Sequence, residues 1–172
     1  SRKVWGFFER FVTAEDNWLP PDNYQEEPVQ RVAHRTSPTN IGLSLLSNLT
    51  AYDFGYLTSL ELVQRTGDTI NSMQRMEKYR GHLYNWYDTI SLEPLMPKYI
   101  SSVDSGNMAG HLITLKQGLM ALPDEAIVQE SFFKGLADTV NVLLEHSIEK
   151  EALLTFREEL EKNYRDRTRS IR

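Results

Sequence analysis

Four short segments hold most of the side chains in this chain that could do chemistry on a polar ligand. The first is Asp16-Asn17-Trp18-Leu19-Pro20-Pro21-Asp22-Asn23-Tyr24, offering Trp18, Asp22, Asn23 and Tyr24. The second is Ala33-His34-Arg35-Thr36-Ser37-Pro38-Thr39-Asn40, offering His34, Arg35, Thr39 and Asn40. The third packs Tyr84, Asn85, Trp86, Tyr87 and Asp88 side by side, and the fourth, Ser101-Ser102-Val103-Asp104-Ser105-Gly106-Asn107, offers Asp104, Ser105 and Asn107. All four fall where helices should start or stop, and loops on a rigid scaffold are where side chains can be aimed at a ligand. Flat aromatic faces beside Asp, Asn, Arg and His suit a molecule with apolar C–H faces and a rim of hydroxyls. A sugar has that description.

Each candidate also has a plainer explanation. Trp18, Tyr24, Tyr84, Trp86 and Tyr87 could stack on sugar rings, although the core is the commoner place for any one aromatic. Their position in irregular segments beside polar partners favours stacking, whereas Phe7, Phe8, Phe132 and Phe133 lie on helical stripes and are expected in the core. Asp22, Asp88 and Asp104 are the carboxylates to weigh as acid and base. Cleavage of a glycoside needs two carboxyls, about 5 Å apart for retention and about 6.5–9.5 Å for inversion. Against that, Asp104 suits the N-cap of the following helix, and Asp88 and Asp22 suit Asx-turns. Extended backbone over 84–88 would place Tyr84, Trp86 and Asp88 on one face and Asn85 and Tyr87 on the other. The histidines His34, His82, His111 and His146 show no paired spacing for a metal, and no Gly-rich phosphate loop or nucleophile elbow is present, so neither metal nor cofactor is expected. Asn48-Leu49-Thr50 matches a glycosylation acceptor but falls inside a predicted helix.

The elements that must position these groups are mostly helical. At 172 residues the chain is the size of one domain, with 40% hydrophobic and 25% charged residues. Its net charge of -5 argues against a general nucleic-acid binder. With no cysteine there is no disulfide framework, which fits a reducing compartment, and no apolar run approaches the length needed to span a bilayer. Val4, Phe7, Phe8, Phe11 and Val12 form one amphipathic stripe. Pro20, Pro21 and Pro28 forbid helix across 17–36. Ser37-Pro38 starts a second helix with Leu45, Leu46, Leu49 and Tyr52 inward, closed by Gly55. Ser59 caps a third, to about Met76, with Leu62, Val63, Ile70 and Met73 apolar. A short β-hairpin or extended loop is expected near 82–100, where the helical period fails. A fourth helix follows Asp104 to Pro123. A fifth carries Phe132, Leu136, Val140 and Leu143, and a sixth Leu153, Phe156, Leu160 and Tyr164 before a charged tail over 163–172. Helices in antiparallel pairs give an all-α fold of α-hairpins, a solenoid or part of a toroid.

The same segments, in order and over roughly residues 1–115, resemble bacterial cyclic β-1,2-glucan synthases. The match rests on Glu15 to Asn23, Ala33 to Gly42, Arg80 to Thr89 and Tyr99 to Asn107. The resemblance implies that residues 1–172 are the N-terminal portion of a glucoamylase-like (α/α) toroid within a larger protein. In that family the toroid closes linear β-1,2-glucan into rings by transglycosylation, and a separate domain polymerises UDP-glucose. The implied partners are a β-1,2-glucan chain and the remaining domains, in a parent anchored at the cytoplasmic side of the inner membrane, the piece itself being soluble. No motif here corresponds to the family's catalytic glutamates, so the chain alone is expected to be inactive and to self-associate through helix faces left uncovered. The rivals are a free-standing glycoside hydrolase using Asp22 and Asp104, and a non-catalytic helical interaction module.

Overall fold

A computed structural model describes residues 1–126, 129–148 and 150–170 of the chain. Of the charged tail expected over 163–172, residues 171 and 172 lie outside the described residues. Among the described residues six α-helices run in order: α1 Arg2–Phe11, α2 Pro38–Asp53, α3 Ser59–Arg75, α4 Ser102–Ala121, α5 Glu130–His146 and α6 Glu151–Ser170. Between them lie three two-stranded antiparallel ribbons. Strand β1 (Tyr24–Gln25) pairs with β2 (Arg31–Val32), β3 (Arg35–Thr36) with β6 (Tyr87–Asp88), and β4 (Lys78–Tyr79) with β5 (His82–Leu83). No helix among the described residues is long and apolar enough to cross a membrane.

Helix α2 is the hub, packed most extensively on α4 and also against α3 and α1. Its composition explains why. Ile41 and Leu45 are fully buried with Asn48 on the same face, and the small residues Gly42, Ser44 and Ala51 are buried to either side of it. A helix apolar or small nearly all round is one enclosed by neighbours. Gly42 is required by that closeness, because a Cβ there would run into the His111 imidazole of α4. Ile41 and Leu45 join Leu19, Met76, Leu83, Tyr87, Met108 and Leu115 in the main core cluster. Burying each Leu or Ile contributes about 1.5–3 kcal/mol. Trp5, Ala51, Tyr52, Leu57 and Leu62 form a second cluster.

Several expectations shift by a residue or an element. In α1 the buried side chain is Trp5, while Val4 is 69% exposed and Phe7 and Phe8 are only half-buried. The expected stripe is kept at Val12, which is buried, and at Phe8, which packs on the second cluster, while Trp5 takes the place of Val4. Phe132 is an exposed side chain on α5, where Gly135 and Val140 take the buried positions. The short hairpin expected near 82–100 is present, with Tyr87 bridged antiparallel to Pro94, the Leu95 N–H donating to the Trp86 carbonyl at 2.8 Å and the Asp88 N–H to the Glu93 carbonyl at 3.0 Å. Two further pairings flank it. One is the β4–β5 hairpin, turning at Arg80 and Gly81, whose positive φ values of 50° and 86° are those a tight two-residue turn needs. The other pairs β6 with the distant β3. The segment expected to be irregular also contains the β1–β2 pair.

Helix starts follow local chemistry. Ser37 accepts from the Asn40 N–H at 3.2 Å, with Pro38 at the first helical position. For α3 the cap is Thr58 rather than Ser59. Its hydroxyl accepts from the Glu61 N–H (3.2 Å) and the Glu61 carboxylate accepts from the Thr58 N–H (2.8 Å), a complete capping box. For α4 the cap is Ser101 rather than Asp104, whose own N–H donates to the Ser101 hydroxyl at 3.1 Å.

The end of α1 is locked by Arg65 of α3. Its guanidinium donates to the Phe8 and Val12 carbonyls at 3.1 and 3.3 Å and lies over the Trp5 and Trp18 rings, 5.2 and 5.7 Å from their centroids. Desolvation lowers the pKa of this guanidinium from its ordinary value.

Candidate functional site

Freed from the N-cap, Asp104 faces α2. Its Oδ1 accepts from the Thr39 hydroxyl at 2.5 Å, and the same hydroxyl accepts from Asn107 Nδ2 at 3.2 Å. The N-terminal ends of α2 and α4 are thereby tied together. One residue along α2, Asn40 Nδ2 donates to Asp22 Oδ1 at 3.4 Å. Arg35 grips the other Asp22 oxygen through Nε and Nη2, at 3.1 and 2.8 Å, and Asn23 Nδ2 also donates to it at 3.1 Å. The Arg35 guanidinium lies over the Trp86 ring, 5.0 Å from its centroid. His82 on β5 meets the Ser105 hydroxyl at 3.1 Å. Side chains from all four segments thus meet at one end of α2 and α4.

Because Arg35 is half-exposed, its pair with Asp22 is worth only about 0–1 kcal/mol. Its main effect is orientation, since Asp22 fixes the guanidinium against one face of Trp86. Pairing of β3 with β6 sets Arg35 opposite Asp88. Asp88 Oδ1 accepts from the Ile90 and Ser91 N–H groups at 2.9 and 2.8 Å, the Asx-turn expected of it. Asp22 makes no such turn, because Arg35 and Asn40 occupy its oxygens.

The extended stretch alternates in burial as its period requires. Leu83, Asn85, Tyr87 and Thr89 are buried, while Tyr84, Trp86 and Asp88 are half-exposed. Tyr87 is 0% exposed and belongs to the main core, which removes it as a stacking platform. Its hydroxyl donates to the Glu77 carbonyl (2.6 Å) and accepts from the Tyr84 N–H (2.7 Å), and burial raises its pKa to about 12. Asn85 is also corrected to a structural residue: it is buried and exchanges bonds with the Tyr99 backbone. The remaining aromatics do not gather around Trp86. Trp18 lies against Arg65, with its carbonyl bound by the Thr69 hydroxyl, and Tyr24 packs on Phe11 and Arg10. Tyr84 lies under the Lys98 ammonium.

Asp16 and Thr89 lie inside the segments singled out in the sequence but are not among the expected site residues, and they complete a second constellation. Asp16 is buried, and its Oδ1 accepts from the fully buried Thr89 hydroxyl and contacts His34 Nδ1 at 2.8 Å. Asn17 Nδ2 braces the same place by donating to the Thr89 and Ile90 carbonyls at 2.8 and 2.9 Å. His34 and Arg35 open onto a groove of about 790 Å³, lined also by Asn23, Gln25, Arg31 and Asp88. Its walls combine guanidinium and amide donors with carboxylate and imidazole acceptors, a set that matches hydroxyls, each able both to donate and to accept.

Over 115 residues, 67% of its length, the chain is 57% identical to the cyclic beta-(1,2)-glucan synthase NdvB of Rhizobium meliloti (strain 1021), and it spans only 4% of that protein. Among solved structures it is similar to a candidate glucoamylase from Bacteroides fragilis NCTC 9343. That likeness has a TM-score of 0.50 at 14% identity and covers 92% of this chain and 33% of the other. At that identity it speaks to fold alone, a mostly helical glucoamylase-like arrangement. No protein-family model matches the chain.

Proposed function

We propose that this chain, homologous over two thirds of its length to a cyclic β-(1,2)-glucan synthase, forms one wall of a glucan-binding cleft. The cleft belongs to a domain that closes linear β-1,2-glucan into rings by transglycosylation. The chain is the N-terminal portion of that domain, an (α/α) toroid whose parent is anchored at the cytoplasmic side of the inner membrane.

The observation that carries this reading is the polar cluster at one end of α2 and α4. There Asp22 and Arg35 present the half-exposed Trp86 ring, next to the Thr39–Asp104–Asn107 set. A glucose ring stacks on the Trp86 face away from Arg35, and its hydroxyls reach the carboxylates and amides. Hydrogen bonds from hydroxyls to charged groups contribute about 1.5–3 kcal/mol each. Asp22 and Asp104 serve this site as organisers, so the chain alone binds glucan without turning it over.

Calorimetric titration with linear β-1,2-gluco-oligosaccharides tests the reading, with cello-oligosaccharides for comparison. Saturable binding selective for the β-1,2 linkage is expected, with no release of reducing ends or rings on long incubation. Failure to bind overturns the glucan wall. Turnover abolished by Asp22→Asn or Asp104→Asn would establish a hydrolase instead.

A further inference from the structure

The pair formed by His34 and Asp16 has a chemical consequence for the groove. Asp16 is 7% exposed and its Oδ1 already holds the Thr89 hydroxyl. An ionised carboxylate only accepts hydrogen bonds, so the His34 Nδ1 it meets at 2.8 Å must carry a proton. In the neutral imidazole the other nitrogen is then a bare acceptor. The backbone that carries the ring is held in place: the Thr89 N–H donates to the His34 carbonyl at 3.1 Å, and the next residue is paired in β3. The side chain is 46% exposed and lines the groove, so it adds little to the core. Burying a carboxylate is costly, and an amide could satisfy Thr89 equally well. What only the carboxylate supplies is a fixed tautomer.

We propose that His34 is a hydroxyl-binding residue of the groove, presenting Nε2 as an acceptor, and that Asp16 is its positioning residue. This rests on the glucan-wall reading and adds a specific contact to it. A sugar hydroxyl donates to Nε2 while accepting from a neighbouring guanidinium or amide of the groove, such as Arg31, Arg35 or Gln25. A fully ionised oxyanion such as sulfate has no proton to give a bare nitrogen, and every hydroxyl of a polyol does, so the arrangement favours a polyol.

The test uses the whole chain, nitrogen NMR of the histidine rings, and a linear β-1,2-gluco-oligosaccharide as probe. The free chain is expected to show His34 protonated at Nδ1 and bare at Nε2, and the Nε2 resonance to move as the oligosaccharide is added. His34→Asn keeps a donor for Asp16 but removes Nε2. It should weaken binding by about tenfold, the loss of one hydrogen bond, with an unchanged melting temperature. Asp16→Asn should weaken binding and mix the tautomers, and if it fails to fold, His34→Asn carries the test alone. A proton on Nε2 in the free chain, or full affinity in His34→Asn, overturns the proposal. So does a His34 response to inorganic phosphate with none to the oligosaccharide. Binding lost in Trp86→Ala but intact in His34→Asn overturns this contact and leaves the glucan wall standing, whereas an unaltered chain that binds no glucan overturns both.

Discussion

Trp86 and Tyr87 are adjacent in sequence and face opposite ways, so truncating each should give opposite results. Tyr87→Ala removes a ring with no exposed surface and two hydroxyl hydrogen bonds inside the main core. Deleting a buried aromatic costs about 3–5 kcal/mol, a large share of the roughly 5–15 kcal/mol that holds a domain folded. Trp86 keeps only part of its surface exposed, so Trp86→Ala loses about two thirds of such a burial energy, roughly 2–3 kcal/mol. It also loses the contact with Arg35, worth about 0.5–1 kcal/mol. About 2.5–4 kcal/mol in all is expected, less than Tyr87→Ala loses once its two hydrogen bonds are added, and the variant stays folded. Its penalty falls on binding, where a lost stacking face weakens β-1,2-glucan affinity by roughly one to two powers of ten. Urea denaturation and calorimetric titration of the same preparations separate the two. Equal destabilisation by both substitutions, or unchanged glucan affinity in folded Trp86→Ala, would refute the platform assignment.

Arg65→Ala should destabilise by about 3 kcal/mol in urea, because it strips charged hydrogen bonds from the α1 terminus and contacts from two tryptophans. Arg65→Lys should recover less than half of that, since an ammonium cannot reproduce the fork. Burial raises the pKa of both Tyr87 and Tyr52 to about 12, with the Glu125 carboxylate adding to the effect at Tyr52. Folded values above the unfolded value of 10.0 mean that this stability is fully present below pH 10 and lost as pH rises toward 12. The melting temperature should therefore be level from about pH 7 to 9 and fall beyond about pH 10, less steeply in Tyr52→Phe. The exposed Val103, Ile113 and Met120 lie along α4, so sedimentation should show concentration-dependent association that Ile113→Glu abolishes. A clean monomer at high concentration would contradict it.

What could be read from the sequence was what neighbouring residues decide among themselves. Ser37-Pro38 starts its helix because cap and proline act within one turn, and the alternation through 83–89 follows from the pleat alone. The capping box of Thr58 and Glu61 was also present in the sequence, although Ser59 looked the better cap. Asp104 was ambiguous for a different reason. Ser101 and Asp104 both suit an N-cap, and the choice is made by Thr39, which takes the carboxylate from a helix distant in sequence. Two-residue strands such as Tyr24–Gln25 carry no alternation to detect. Neither the meeting of Asp16 with His34 nor the dispersal of Trp18, Tyr24 and Tyr84 has any spacing signature, because both are products of tertiary packing.

The glucan wall is tested most directly by titrating a linear β-1,2-gluco-oligosaccharide into isotope-labelled chain and mapping the resonances that move. Shifts centred on Arg35, Thr39, Asn40, Trp86, Asp104 and Asn107 are expected, with the core amides around Ile41 and Leu45 still. No saturable shifts, or shifts confined to the apolar hollow between α1 and α2 lined by Trp5, Phe8 and Ala51, would contradict the placement of glucan at this end of the helices.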